Sequence, residues 1–122
     1  MTTLTLVVTV VTAAANIGIA AADLARAPFV LANSAEVGVA PSWIPPLALC
    51  KAAGGVGLLV GLVGPPQIEL AAAMGLVLFF VGAVAVHLKT RVLHNLAFPL
   101  AYLALAVATL VLSTARFAYS LH

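Results

Sequence analysis

Four long apolar runs dominate the 122-residue chain, at approximately residues 4–26, 43–63, 67–88 and 95–117. Each reaches the roughly 20 apolar residues that carry an α-helix across the hydrocarbon core of a bilayer. Strong breakers separate them. The first gap contains Pro28, Asn33, Ser34 and Pro41, and Pro45 and Pro46 close it, the latter in the first turn of the second run. Gly64, Pro65 and Pro66 make a tight reversal, and Lys89, Thr90 and Arg91 mark the third turn. Short connections favour antiparallel neighbours, and open strands cannot cross lipid with unpaired backbone groups. The pattern therefore predicts an all-α protein. It reads as a single transmembrane domain over residues 1–122, an up-down four-helix membrane bundle with a loop of moderate size after the first helix.

Polar residues interrupt the apolar runs in register. In the first run Thr9, Thr12, Asn16 and Asp23 are spaced by three, four and seven, which puts them on one helix face. The fourth run repeats the pattern with Asn95, Pro99, Tyr102, Thr109, Ser113 and Arg116. Lipid cannot satisfy such groups, so both faces are expected to point inward or toward a partner helix. For the Thr and Ser members, interhelical hydrogen bonding at about 0.6 kcal/mol per contact is a sufficient reason. The second run carries Gly54, Gly57, Gly61 and Gly64, a small-residue stripe that lets a neighbouring helix approach closely. That neighbour belongs either to the same chain or to a second copy.

Composition narrows the class. Charged residues make up 7% of the chain, against about 25% in soluble domains, so water cannot be the solvent for most of its surface. Membrane lipids are the expected surroundings of a multi-pass protein. The pI of about 9.1 rests on a thin excess of base over acid and gives no clustered basic face for nucleic acid. Four spans leave no room for an extramembrane catalytic domain. Cys50 is the only cysteine, which excludes an internal disulfide or a CxxC redox pair. Any electrons would have to be carried by a partner or a bound cofactor. Residues 1–22 contain no Lys or Arg, so the segment lacks the basic start of a secretory signal and reads as a retained span. Arg26, Lys89 and Arg91 lie on the side of loops one and three, and Arg116 on the side of the termini. The positive-inside rule then places loops one and three in the cytoplasm.

The candidate chemistry starts at Lys51, which sits in an apolar run with no aqueous flank nearby. A lysine near the middle of a spanning helix costs about 2.5–3.5 kcal/mol to insert, so a partner or a job is expected for it. At 1.5 Å of rise per residue, Lys51 lies about 12 Å from the loop-one face, Asn16 about 15 Å and Asp23 about 5 Å. His87 and His94 flank the third turn at the same face. Asn16, Asp23, Lys51, His87 and His94 are thus expected in one half of the bundle, with the long lysine reaching toward Asp23 or His87. Glu69 opens the third helix at the opposite face, about 15 Å along the axis from Lys51, which argues against direct pairing. It stands five turns before His87 in the same angular register, and as a first-turn carboxylate it also complements the helix dipole.

Lys51, His87, Asp23 and Glu69 are the candidate acid/base groups, and Asn16, Tyr102 and His94 the candidate ligand contacts. For Lys51 two readings stand side by side: a buried ion pair that sets the packing, and a ligand anchor or proton-handling group. No metal site is expected, because two histidines across a turn, without clustered cysteines or carboxylates, do not form a ligand set. No helix pair displays matched mid-depth histidines for haem, and no phosphate loop or nucleophile elbow is present.

Taken together, Lys51-x-x-Gly54 with its GLLVGLV continuation, Pro65, Glu69-x-x-Ala72, Ala83-x-x-x-His87 and Pro99 resemble the DoxX-like family. The resemblance covers approximately residues 41–112, with residues 16–23 joining more loosely. It implies a small four-helix protein of the bacterial cytoplasmic membrane. Namesake members are linked to quinone-dependent sulfur oxidation, a mycobacterial branch to an oxidant-defence complex, and a distant animal branch to receptor assembly. By that resemblance Lys51, Glu69 and His87 occupy family-typical polar positions, and a quinone becomes the candidate cofactor. Three functions remain in competition. The first is an accessory or subunit of a membrane oxidoreductase system that binds a lipophilic small molecule. The second is a self-contained membrane enzyme doing acid/base chemistry, such as isomerisation or epoxide opening, on a lipophilic substrate. The third is a scaffold or assembly factor. A homo-oligomer or a partner membrane protein fits any of the three.

Overall fold

The computed structural model describes residues 2–121. Four long helices, α1 (Thr3–Leu24), α3 (Ile44–Val63), α4 (Pro66–Lys89) and α5 (Ala97–Ser120), form the bundle, with a short α2 (Pro28–Glu36) and a 3-10 turn (Pro41–Trp43) between the first two. All four long helices are long and apolar enough to cross a membrane, and no strand occurs among the described residues. Each packs on two neighbours, α1 on α3 and α5, and α4 on α3 and α5. This is the up-down arrangement expected, and every long helix starts and stops within about three residues of its sequence reading.

The expectation of a plain loop after α1 needs correction, since nine of its residues are helical. Pro28 sits at the first position of α2, where its fixed φ is already helical and its missing N–H is no loss. Val30 anchors the helix by burial. The same proline that breaks one helix starts the next.

Helix ends at this face share an unusual device. Arg26 and Arg91 follow α1 and α4 with φ of 54° and 57°, a left-handed conformation that glycine normally supplies. Ala27 N–H then reaches Ala22 O at 3.1 Å, and Val92 N–H reaches His87 O at 3.0 Å, satisfying carbonyls the helix leaves open. A basic side chain beyond a helix C-terminus also complements its dipole.

The glycine stripe of α3 packs within the chain, on α4. A Cβ on Gly57 would lie 2.9 Å from Ala72 Cβ, and one on Gly61 only 2.1 Å from Glu69 N. Small residues hold α3 and α4 close where lipid offers no hydrophobic drive. The apolar core comprises Ala13, Leu58, Ala73, Leu76, Phe80 and Ala106, while large aliphatic residues such as Leu78 and Val111 face outward toward lipid.

Candidate functional site

All three acidic residues of the chain are paired, and the pairs sort by depth. Glu36 on α2 meets His94, with much of both side chains exposed. The other two pairs are buried at opposite ends of the bundle. At the loop end, Asp23 of α1 pairs with Lys51 of α3. At the end holding the termini, Glu69 of α4 pairs with Arg116 of α5. Lys51 therefore turns inward and takes the first of its two expected partners. Lys51 and Glu69 do not pair, in line with their axial separation.

The loop-end pair borders a pocket of about 160 Å³ whose lining includes Asp23, Lys51, His87, Asn95, Pro99 and Tyr102. α2 contributes Phe29, Val30, Asn33 and Ser34 and so forms its cover. Two polar contacts clasp that cover. Asn95 Nδ2 donates to Asn33 Oδ1 at 3.1 Å, and the Glu36–His94 pair ties the far end of α2 to the turn before α5.

Donors and acceptors around the pocket can be assigned from chemistry. The Lys51 ammonium has three donors and also lies 5.7 Å from the Phe79 ring centroid, within cation–π range. His87 Nδ1 lies 2.9 Å from Ala83 O. A carbonyl only accepts, so Nδ1 carries the proton and Nε2 is left for the pocket. Tyr102 donates to Ala15 O at 3.2 Å. Asn95 Oδ1 is buried with no hydrogen-bond partner among the described residues, an acceptor whose desolvation is uncompensated.

Three of the expected acid/base residues, Asp23, Lys51 and His87, therefore share one site with Tyr102. Glu69 stands apart at the other end, fully buried. His94 contributes by holding α2 and is not among the pocket residues. Asn16 lies deeper, wholly buried, with Nδ2 donating to Thr12 O at 2.9 Å. Sequence reasoning missed Asn33 and Glu36 because α2 was read as loop. It also missed the Glu69–Arg116 pair, although both residues were assigned to the same face. That shared depth was the available signal.

Around Glu69 the arrangement is tight. Thr9 Oγ1 donates to Glu69 Oε1 at 3.1 Å. Arg116 pairs with Oε2 and reaches Gly61 O and Leu62 O at 3.3 Å each, the open carbonyls at the end of α3. One guanidinium thus serves the C-terminus of α3 and the buried carboxylate opening α4.

The family model of the DoxX-like family matches residues 7–109, most of the chain, from the first turns of α1 to about the middle of the last helix. The chain belongs to the DoxX-like family. Neither a curated protein nor a solved structure matches it. In this DoxX-like protein Lys51 and His87 meet at one pocket, whereas Glu69 faces the other side of the membrane-spanning bundle. No group of three or more His, Cys, Asp or Glu side chains gathers among the described residues.

Proposed function

We propose that this DoxX-like protein binds the polar head of a lipophilic small molecule, a quinone, as an accessory or subunit of an oxidoreductase system in a bacterial cytoplasmic membrane. The observation that carries the reading is the convergence of Lys51, Asp23, His87 and Tyr102 on a covered pocket with aromatic walls. Its volume of about 160 Å³ falls below the roughly 300–1,000 Å³ of whole-ligand sites. It suits a single ring, with the tail left in lipid. The chemistry of the lining fits such a ring. A quinone carbonyl accepts from Lys51, and the hydroxyl of its reduced form donates to His87 Nε2. When bound, the quinone supplies the two-electron chemistry that a chain with one cysteine lacks. Lys51 and Asp23 orient the head, His87 Nε2 handles a proton at the ring oxygen, and α2 excludes bulk water. The oxidoreductase association draws on the family alone, and it requires a partner membrane protein to deliver electrons.

Lipid extraction from detergent-purified protein tests the reading. Quinone is expected to co-purify, and Lys51→Met is expected to reduce its occupancy about tenfold, the equivalent of roughly 1.4 kcal/mol. Unchanged occupancy in Lys51→Met overturns it.

The acid/base enzyme remains a second reading, favoured by one observation: Lys51, Asp23 and His87 lie at the same pocket. Glu69 drops out of that constellation. Turnover of a lipophilic epoxide or alkene that survives substitution of all three residues excludes it.

A further inference from the structure

Over the loop-end pocket, α2 is held more loosely than any of the four long helices. Its backbone runs alongside the 3-10 turn and alongside none of the long helices. Its backbone hydrogen bonds stay local, from Ala27 N–H to Ala22 O at the start to Val39 N–H to Ser34 O at the end, and none crosses to α3, α4 or α5 among the described residues. α2 can therefore lift without breaking one. Left-handed residues stand on both sides, Arg26 with φ 54° and Gly38 with φ 77°. They end the helical runs of α1 and α2 and make α2 a separate unit.

Three side chains hold that unit down. Val30 is its one buried residue. Asn33 Oδ1 accepts from Asn95 Nδ2, and Glu36 pairs with His94 where both side chains are open to water. An ion pair so exposed contributes little. Closure also carries a cost at the same place. Beneath the closed helix Asn95 Oδ1 is buried with no partner among the described residues, and an acceptor taken from water without replacement is destabilising. Lifting α2 gives it water back. A fixed cap would gain from an apolar side chain at position 95, whereas a cap that comes off is served by a group that favours release. Phe29 and Leu31 are exposed on α2. Apolar side chains on such a helix rest in the headgroup region, which gives the lifted helix a place to lie.

We infer that α2 is a hinged lid: it swings on Arg26 and Gly38 to open the Lys51 pocket, and the Asn33–Asn95 contact is its latch. The head of a lipophilic molecule enters beneath α2 from the headgroup region. Passage between the long helices is closed to it, because each of them packs on two neighbours. The purpose of the lid rests on the pocket reading above; its movement does not.

Thiol labelling of the full chain in detergent micelles tests the movement, with N-ethylmaleimide as the probe. Cys50→Ala is the background, since Cys50 is exposed and is the only cysteine. Val30→Cys puts a thiol under the lid. Leu31→Cys is the exposed reference, and Leu58→Cys, fully buried among the long helices, is the sealed one. The thiol at position 30 is expected to react far more slowly than the exposed reference and faster than the sealed one. Adding Asn33→Ala removes the latch and is expected to accelerate it about tenfold, with both references unchanged. Gel filtration and circular dichroism select variants that remain folded. A thiol at position 30 as inert as the sealed reference, as reactive as the exposed one, or unmoved by Asn33→Ala overturns the inference. Where Val30→Cys does not fold, hydrogen exchange of the intact protein and of Asn33→Ala reads the same equilibrium. Faster exchange over residues 31–36 than along α3, raised further by Asn33→Ala, is expected; protection equal to that of α3, or no response to Asn33→Ala, overturns it. No quinone enters either measurement, so the outcome is separate from that of the occupancy test.

Discussion

Gly61→Ala probes how the bundle holds charge inside lipid. A Cβ at this position would lie 2.1 Å from Glu69 N and 2.6 Å from both Glu69 Cα and Cβ. Attractive carbon contacts lie at about 3.5–4.0 Å, so the overlap exceeds about 1 Å, and most of it is against backbone that cannot rotate away. Relief requires α3 and α4 to part at their shared turn. Overpacking by itself costs about 1–3 kcal/mol. Parting the helices also stretches the Arg116 bonds to Gly61 O and Leu62 O and displaces a carboxylate that is fully buried. Losing the partner of a buried charge costs about 3–5 kcal/mol. With that loss only partial here, the expected total is about 3–5 kcal/mol.

Gly75→Ala supplies the control, because an added Cβ meets nothing within 4 Å there. Gly57→Ala should fall between the two, with a single contact at 2.9 Å to a methyl group. Reversible unfolding in mixed micelles, followed by circular dichroism or steric trapping, ranks all three. A Gly61→Ala protein within about 0.5 kcal/mol of Gly75→Ala, the usual margin for independent surface sites, refutes the reasoning.

Two further outcomes follow from the ion pairs. Lys51→Met and Asp23→Asn are each expected to destabilise by about 3–5 kcal/mol, because each strands a buried partner; the double variant should lose much less than the sum, and strict additivity in the cycle would count against the pairing. Glu36→Gln, at the more exposed pair with His94, is expected to change unfolding free energy by less than about 1 kcal/mol, and a loss of several would show that α2 carries more of the fold than its contacts suggest.

Much of the fold was legible in the chain, and the reason is physical. Lipid forces every span to be a long helix with its backbone bonds closed internally, so run length and breakers locate α1, α3, α4 and α5. The inward polar faces followed from the same rule. Thr9, Thr12 and Asn16 on α1 and Thr109 and Ser113 on α5 are all buried. What the chain hid was lateral. Axial depth can be counted along a helix, but the neighbour across the gap depends on rotation and order around the bundle. Depth brought Asp23, Lys51 and His87 together correctly. Depth and the short third turn also put Glu69 and Arg116 at one face on neighbouring helices, but they do not fix the rotation about each helix axis that turns the two side chains toward each other. α2 was obscured for a different reason: Pro28, Asn33 and Ser34 read as breakers when counted singly, although Pro28 occupies the position where proline starts a helix.

The placement of charge gives the strongest hint of purpose. Replacing a buried ion pair by apolar residues of similar volume is often neutral or stabilising, so Asp23–Lys51 and Glu69–Arg116 are expensive ways to hold four helices together. A protein needing only a fold would gain from Leu and Met at those positions. Here two such pairs occupy opposite ends of one bundle, each beside a cavity, with hydroxyl and amide side chains between them. Helix packing gives the Glu69–Arg116 pair a use, since the guanidinium also serves the open carbonyls of α3. Binding a polar head explains the loop-end pair alone, because Glu69 is too far from that pocket to touch its contents.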